Sequence, residues 1–319
     1  MQDPIQIHCL TPVYNDWESF HVLVTHLEEL QQLHQEYQFH VVVVDDGSLE
    51  SPDYTFAFSI PITRIRLKIN VGHQRAIAIG LQYVYNEVPS KDFVVVLDSD
   101  GEDRPEDIIP LLAQAQAQQG QKIVFAKRNK RQESFWFKTG YFFYKRLFKY
   151  LTGNEISFGN FSVIPTGLLG RIVNLGALWN HYSGSIIQSR LPMTTVALNR
   201  GKRYKGVSKM NFNSLVIHGL SSISIYFDQI SVKILRLSLK GIGWCSLAVL
   251  YVLGEKLFTN YAIPGWASSL ILIISGIILQ LFSMTLIVLL LQLSSRKNVI
   301  PPSATIYKEF VEEVQLTKQ

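Results

Sequence analysis

Positions 98–107 read DSDGEDRPED, six carboxylates set directly after the apolar run FVVVL. Asp98 and Asp100, flanking Ser99, would repel one another at the end of a rigid strand, and the usual relief is a hard divalent cation held by oxygen. Mg²⁺ or Mn²⁺ is normally bound by one or two carboxylates together with substrate phosphate oxygens. The chemistry this pair predicts is therefore handling of a diphosphate, with Asp103 as a candidate helper. Glu106 and Asp107 read differently: with Pro105 they open a helix, where carboxylates face the positive end of the dipole. Glu102 has no evident task. Positive charge to meet phosphate is carried by Arg128, in AKR at the end of the next apolar run, and by NRGKRYKGVSK, where Arg200, Arg203, Lys205 and Lys209 surround a glycine-bearing loop. Such a loop can clamp phosphate. Taken singly, an Asp-X-Asp or a basic loop reads as readily as solvated surface.

The elements that must position these residues alternate through the first 130 positions. IQIHCLTPVY and FHVVVVDDGS are β-branched runs ending in polar turns, and the continuous valines 41–44 predict a strand buried on both faces. Between them Phe20, Leu23, Val24, Leu27 and Leu30 fall at helical spacing. TRIRLKI, HQRAIAIGLQYVYNEV, DFVVVLD, PEDIIPLLAQAQAQ and KIVFAKR continue the order as strand, helix, strand, helix and strand. This order predicts an α/β fold with an open, mostly parallel sheet. Ligands in such sheets bind beyond the carboxyl ends of the strands, here 11–16, 45–48, 98–103 and 127–131.

Composition changes beyond Arg131. ESFWFKTGYFFYKRLFKYLTG interleaves aromatic and basic residues, a pattern that suits either a headgroup-level helix or a helix packed on the sheet with a solvated basic face. Residues 211–236 are amphipathic and read as juxtamembrane helices. Positions 241–295 hold no charge except Glu255 and Lys256, and 266–293 hold none. Those 28 residues would make about 42 Å of helix, ample for a bilayer. Two spans are expected, 237–258 and 266–293, within an anchor of 237–294, followed by a cytoplasmic tail at 295–319. Lys233 and Arg236 precede the first span, Lys240 lies in its first turn, and Arg296 and Lys297 follow the second, a pattern that predicts the domain of residues 1–210 on the cytoplasmic side of a multi-pass membrane protein.

The 319-residue chain has a net charge of +5 and two cysteines, Cys9 and Cys245, which offer neither a disulfide framework nor metal-ligand spacing. Its first residues, MQDPIQIHCLTPVYND, lack the basic and apolar regions of a secretory signal. A nucleic-acid partner is not expected.

In order and spacing, TPVYND, VVVVDDGS, NVGHQRAIAIGL, LDSDGEDRPED, KRNKRQESFWFK and RGKRYKGVSKMNF resemble the polyprenyl-phosphate glycosyltransferases of family 2, which include dolichyl-phosphate mannose synthase and the bacterial GtrB-like enzymes. The resemblance covers about the first 210 residues, and the two-helix anchor is similar to that of the GtrB-like branch. It implies a GT-A, Rossmann-like domain that transfers a sugar, with inversion, from a UDP- or GDP-linked donor to the phosphate of a membrane polyprenol. Pro12, Tyr14, Asp16, Val44 and Asp46 are then nucleotide-binding residues, and Asp98, Ser99 and Asp100 hold metal and diphosphate. Arg128, Arg203 and Lys209 face the diphosphate and acceptor phosphate, with Arg131, Lys138 and Arg200 toward the lipid phosphate. The implied partners are donor, polyprenyl phosphate and bilayer, and the helices are compatible with a homo-oligomer.

One segment departs from the pattern. Many members of the family it resembles carry an acidic residue where this chain reads EISFGNFSV, with Ser157, Asn160 and Ser162, and Glu155 is the nearest carboxylate. A phosphate acceptor is already anionic near neutral pH, its second pKa lying near 6, so the expected mechanism has no obligatory base. WNHYSGSIIQSRL holds His181, read as structural, with sugar contact as the other reading. Without a Gln-X-X-Arg-Trp segment, and with only two spans, a processive synthase is disfavoured. The alternative from another class is a non-catalytic membrane scaffold that keeps a nucleotide-binding fold.

Overall fold

The computed structural model describes residues 3–50, 58–88, 92–128, 146, 149–150, 152–153, 158–205, 224–258, 265–297 and 303–317. They divide into two compact units, one drawn from Met1–Lys145, Asn154–Ile225 and Pro301–Gln319, the other from Arg146–Gly153 and Tyr226–Ile300.

In the first unit, strands and helices alternate as the periodicity predicts: β1 (Ile5–Val13), α1 (Trp17–Leu33), β2 (Tyr37–Asp45), β3 (Ile62–Leu67), α2 (His73–Glu87), β4 (Phe93–Val96), α3 (Ile108–Ala117) and β5 (Ile123–Arg128). They are followed by β6 (Ser162–Pro165), α4 (Thr166–Val173), α5 (Tyr182–Ser189) and β7 (Met193–Leu198). The sheet runs β7-β5-β6-β4-β1-β2-β3, closed at its far edge by a late strand, β8 (Val311–Thr317). β3, β2, β1 and β4 are mutually parallel, as are β5 and β7, whereas β6 is inserted antiparallel between β4 and β5.

Both faces of the central strands are covered, which is why β2 reads as unbroken valine. Val41 and Val43 join Phe20, Leu23 and Leu27 of α1 in one core, while Val42 and Val44 join Leu10, Ile77 and Leu81 in the other. All four valines are fully buried, each stabilising the fold by roughly 1.5–3 kcal/mol relative to exposure. Helix α2 lies close on the sheet at Gly80, where a Cβ would come within 2.3 Å of Leu10 Cδ1.

Residues 303–317 are not the appendage expected of a tail. A short helix, α8 (Tyr307–Phe310), buries Tyr307 in the core under α2, and β8 then pairs antiparallel with β3. The fully buried Gln82 of α2 receives the segment: its Nε2 donates to Ser303 O at 3.0 Å and to Val173 O at 3.1 Å, and its Oε1 accepts from Tyr307 N–H at 3.1 Å. Tyr307 also bonds Glu87, and Arg66 pairs with Glu312 at 3.3 Å. A buried side-chain amide with these bonds satisfied is stabilising, whereas the same amide without them would be costly.

The second unit is built on two long helices, α6 (Phe227–Phe258) and α7 (Trp266–Lys297), each 32 residues. Both are long and apolar enough to cross a membrane. α6 begins ten residues before the expected span, because nothing between Phe227 and Lys240 breaks a helix. Of the expected juxtamembrane stretch, 206–223 lies outside the described residues.

Candidate active site

The site is assembled at the carboxyl ends of β1, β2 and β4, which neighbour one another in the sheet. On the β1–β2 side, Pro12 lies in register with Val44. Val44 turns its side chain into the core beneath α2, leaving only its backbone for a ligand. Tyr14 is exposed, and Asp16 precedes the first turn of α1. Asn15, at φ 49°, ties the two loops together: its N–H donates to Ser48 Oγ at 3.0 Å and its Oδ1 accepts from Leu49 N–H at 3.0 Å.

Asp46, expected at the nucleotide base, is 3% exposed, and its carboxylate accepts from the N–H groups of Val71 (2.7 Å) and Gly72 (3.0 Å). It therefore fixes the entry to α2. Burial raises its pKa, against those two bonds. Sequence reasoning missed its neighbour: fully buried Asp45 accepts from Ser48 N–H at 2.9 Å and pairs with Arg64, whose guanidinium lies 4.8 Å from the Trp17 ring centre. A buried charge needs such a partner, and the alternation of β3 places Arg64 to supply it.

After β4 the chain turns through the acidic loop. Asp98 N–H donates to Asp103 Oδ2 at 3.0 Å and Glu102 N–H to Asp100 Oδ1 at 2.9 Å. Asp103 is thus a buried brace for the turn, and Ser99 is buried within it. The basic loop after β7 lies along this turn through two backbone bonds, Gly201 N–H to Glu102 O and Tyr204 N–H to Asp100 O, each 2.9 Å. Glycine is required on both sides. Gly101 has φ 87°, and a Cβ on Gly201 would come within 2.2 Å of Gly101 O. Tyr204 anchors the basic loop, its hydroxyl 3.1 Å from His26 Nδ1 of α1.

These bonds bring the predicted charges together. Arg203 pairs with Asp100 Oδ2 at 2.8 Å and Glu102 Oε1 at 3.1 Å, and Arg200 also pairs with Glu102. Glu102, without a task in the sequence, is the carboxylate that both arginines share, and no short-range signal could have revealed a partner 101 positions away. Arg128 ends β5, in register with Leu198. Arg131, Lys138, Glu155, Ser157 and Lys209 lie outside the described residues.

The third side is formed by the entry to α2 and by the segment that departs from the expected acidic pattern. His73 Nε2 lies 3.2 Å from Asp98 Oδ1 and 3.1 Å from Asn160 Nδ2. Partial enclosure opposes a charge on His73, but Asp98, then Asp103 and Asp46, outweigh it and raise its pKa. Gln74 Nε2 donates to Asn160 Oδ1 at 3.4 Å, and Gln74 Oε1 accepts from Tyr182 N–H at 2.7 Å. Ser162 donates to Asn160 O at 2.9 Å and lies 2.7 Å from the buried Tyr182 hydroxyl. The WNHYSGS stretch therefore braces this wall. His181, 4% exposed, accepts from Gly184 N–H at 3.1 Å and caps α5.

Asp98 and Asp100 supply hard oxygen donors, and cationic side chains already sit against them. Among the described residues no group of three or more His, Cys, Asp and Glu could hold a metal ion by itself. The donor set fits a hard divalent cation whose coordination is completed by a substrate diphosphate.

Comparison with known proteins bears on the family and the fold. The glycosyl transferase family 2 model matches residues 9–175. An uncharacterized glycosyltransferase, YkcC of Bacillus subtilis (strain 168), is 29% identical over 293 residues, 88% of this chain and 87% of that protein. Glucosyl-3-phosphoglycerate synthase from Mycobacterium tuberculosis, solved with Mn²⁺, UDP-glucose and phosphoglyceric acid, matches with a TM-score of 0.50 at 15% identity, over 71% of this chain and 80% of that one. At that identity the likeness is one of fold.

Proposed function

The chain belongs to glycosyl transferase family 2 and has a GT-A sheet domain with two long apolar helices that could cross a membrane, and from that premise we propose a membrane-anchored, inverting enzyme that moves a sugar from a UDP- or GDP-linked donor to the phosphate of a polyprenyl phosphate, with Mg²⁺ or Mn²⁺. The observation that carries this reading is the interlocking of the acidic and basic loops, which sets Asp98, Asp100, Arg200 and Arg203 around one position. Such an arrangement suits a diphosphate leaving group. The solved complex of the mycobacterial synthase with Mn²⁺ and UDP-glucose supports a nucleotide-sugar donor and a divalent ion here.

Asp98 and Asp100 would hold the cation, which when bound offsets the charge of the departing diphosphate. Arg203 and Arg200 add fixed positive charge beside it, where a preorganised group lowers the barrier more than mobile water can. In the transfer, a lipid phosphate oxygen forms its bond to the anomeric carbon as the bond from that carbon to the diphosphate oxygen breaks on the opposite face. The acceptor is already anionic near neutral pH, so orientation matters more than proton removal. Asn160 and Ser162, bonded to His73, Gln74 and Tyr182, act as a wall of the site in this mechanism.

A lipid acceptor is favoured by the apolar helices. β1 to β7 precede them in sequence and β8 follows them, yet all eight strands share one sheet. The shared sheet supports a reading in which the segment crosses a membrane an even number of times. The basic residues flanking the helices argue that the side of the sheet domain is cytoplasmic. Membranes bearing the full chain, supplied with polyprenyl phosphate and a panel of labelled UDP- and GDP-sugars, test the reading. One donor should give organic-extractable label that disappears on chelation, whereas no transfer from any donor would refute it.

A further inference from the structure

Glu102 has every polar group engaged, its N–H within the acidic loop and its C=O and carboxylate toward the basic loop. Its N–H donates to Asp100 Oδ1 at 2.9 Å, its C=O accepts from Gly201 N–H at 2.9 Å, and its carboxylate accepts from Arg203 Nε at 3.1 Å and pairs with Arg200. The side chain is 14% exposed, against 56% for Glu106 in the same acidic run. It is turned inward as a built part of the site.

We infer that Glu102 is a positioning residue, the fixed pivot on which Arg203 exchanges Asp100 for the donor diphosphate. The inference rests on the reading of Asp98 and Asp100 as the cation-binding pair. Arg203 divides its donors between two carboxylates: Nε goes to Glu102, and a terminal nitrogen goes to Asp100 Oδ2 at 2.8 Å. A cation held by Asp100 would compete with that terminal N–H for the same carboxylate. The bond to Glu102 would keep Nε in place while the freed edge of the planar guanidinium turns to the diphosphate. Backbone motion is restrained on both sides of Arg203, by Gly201 N–H on Glu102 O and by Tyr204 N–H on Asp100 O. Arg200, held on the second oxygen of the same carboxylate, is oriented by the same group. Without that carboxylate, Arg203 would lose its anchor and remain drawn to Asp100, in competition with the cation.

The test is calorimetric titration of the full-length protein with UDP and with GDP in the presence of Mn²⁺. Glu102→Ala should weaken binding of the preferred nucleotide on the order of tenfold, and Glu102→Gln, which keeps the size and one acceptor oxygen, should weaken it less. Because the pivot acts chiefly through Arg203, with Arg200 the lesser partner, Glu102→Ala should cost less in an Arg203→Ala background than it does alone. Binding within twofold of wild type in both Glu102 variants overturns the inference, and so do losses that add in full with Arg203→Ala. If the wild type binds neither nucleotide with Mn²⁺, the underlying reading of the site fails and this role with it. Wild-type binding that is lost in Asp100→Ala and kept in both Glu102 variants overturns the role of Glu102 alone. Glu102→Gln carries the comparison should Glu102→Ala not fold.

Discussion

At the scale of single residues, the site depends on close approach and on charge. Asp100 accepts from Glu102 N–H and pairs with Arg203, so Asp100→Ala removes both a proposed cation ligand and the partner of an arginine. Sugar transfer should fall on the order of 100- to 1,000-fold, with the protein still in the membrane fraction; activity within a few fold of wild type would disprove the role. Gly201→Ala is a subtler probe. Its Cβ would stand 2.2 Å from Gly101 O, so the basic loop must lift from the acidic one. A displacement near 1 Å can cost roughly 100-fold in rate, and steady-state kinetics showing no loss would mean that the loops need not touch. Away from the site, burial and the nearby His8 push His40 down to about 4 from 6.5. The unfolded chain then takes up the proton first, so the contribution of His40 to stability is complete above pH 6.5 and declines as pH falls toward 4. Urea unfolding across that window should show a shallower decline for His40→Gln; identical slopes would remove His40 as a cause.

At the scale of elements, α2 connects the site to the end of the chain. Its first turn presents His73 and Gln74 to Asp98 and Asn160, and its last turns hold Ser303, Ala304 and Tyr307 through Gln82, Asn86 and Glu87. Gln82→Leu leaves Tyr307 N–H and the carbonyls of Ser303 and Val173 without these bonds. Each buried group left unsatisfied costs about 1–3 kcal/mol, so this variant should melt several degrees lower and release β8 to limited proteolysis; an unchanged melting temperature would contradict the clamp. The alternating elements up to β5 were legible in the sequence because continuous apolar runs and period-3.6 patterns reflect which faces are buried, as in Val41–Val44 and Phe20–Leu30. β8 was not legible. VEEVQLT is an edge strand, exposed over most of its length, and carries little burial signal. The same limit applied within the site. Asp98, Asp100, Arg200 and Arg203 could be named from residue type and local context, but Glu102 and the His73–Asn160 contact depend on partners from distant segments, which only the folded sheet brings together.

At the scale of the molecule, the chain leaves its sheet before α6 and returns to it after α7. If α6 and α7 each cross a membrane once, as the proposed function has it, tags placed at the two ends of the chain should be cleaved together from the same side of sealed vesicles. Protection of one tag alone would rule out the arrangement. One polypeptide carries the family 2 sheet domain and two helices long and apolar enough to cross a membrane, and in the proposed function the sugar passes to lipid phosphate. The most direct test offers the full-length enzyme, with its preferred labelled nucleotide-sugar and Mn²⁺, equal amounts of polyprenyl phosphate and unphosphorylated polyprenol. Label should appear on the phosphate alone, with inverted anomeric configuration and only while the divalent ion is present. Label on the free polyprenol, or released to water as free sugar without any lipid product, would contradict the account.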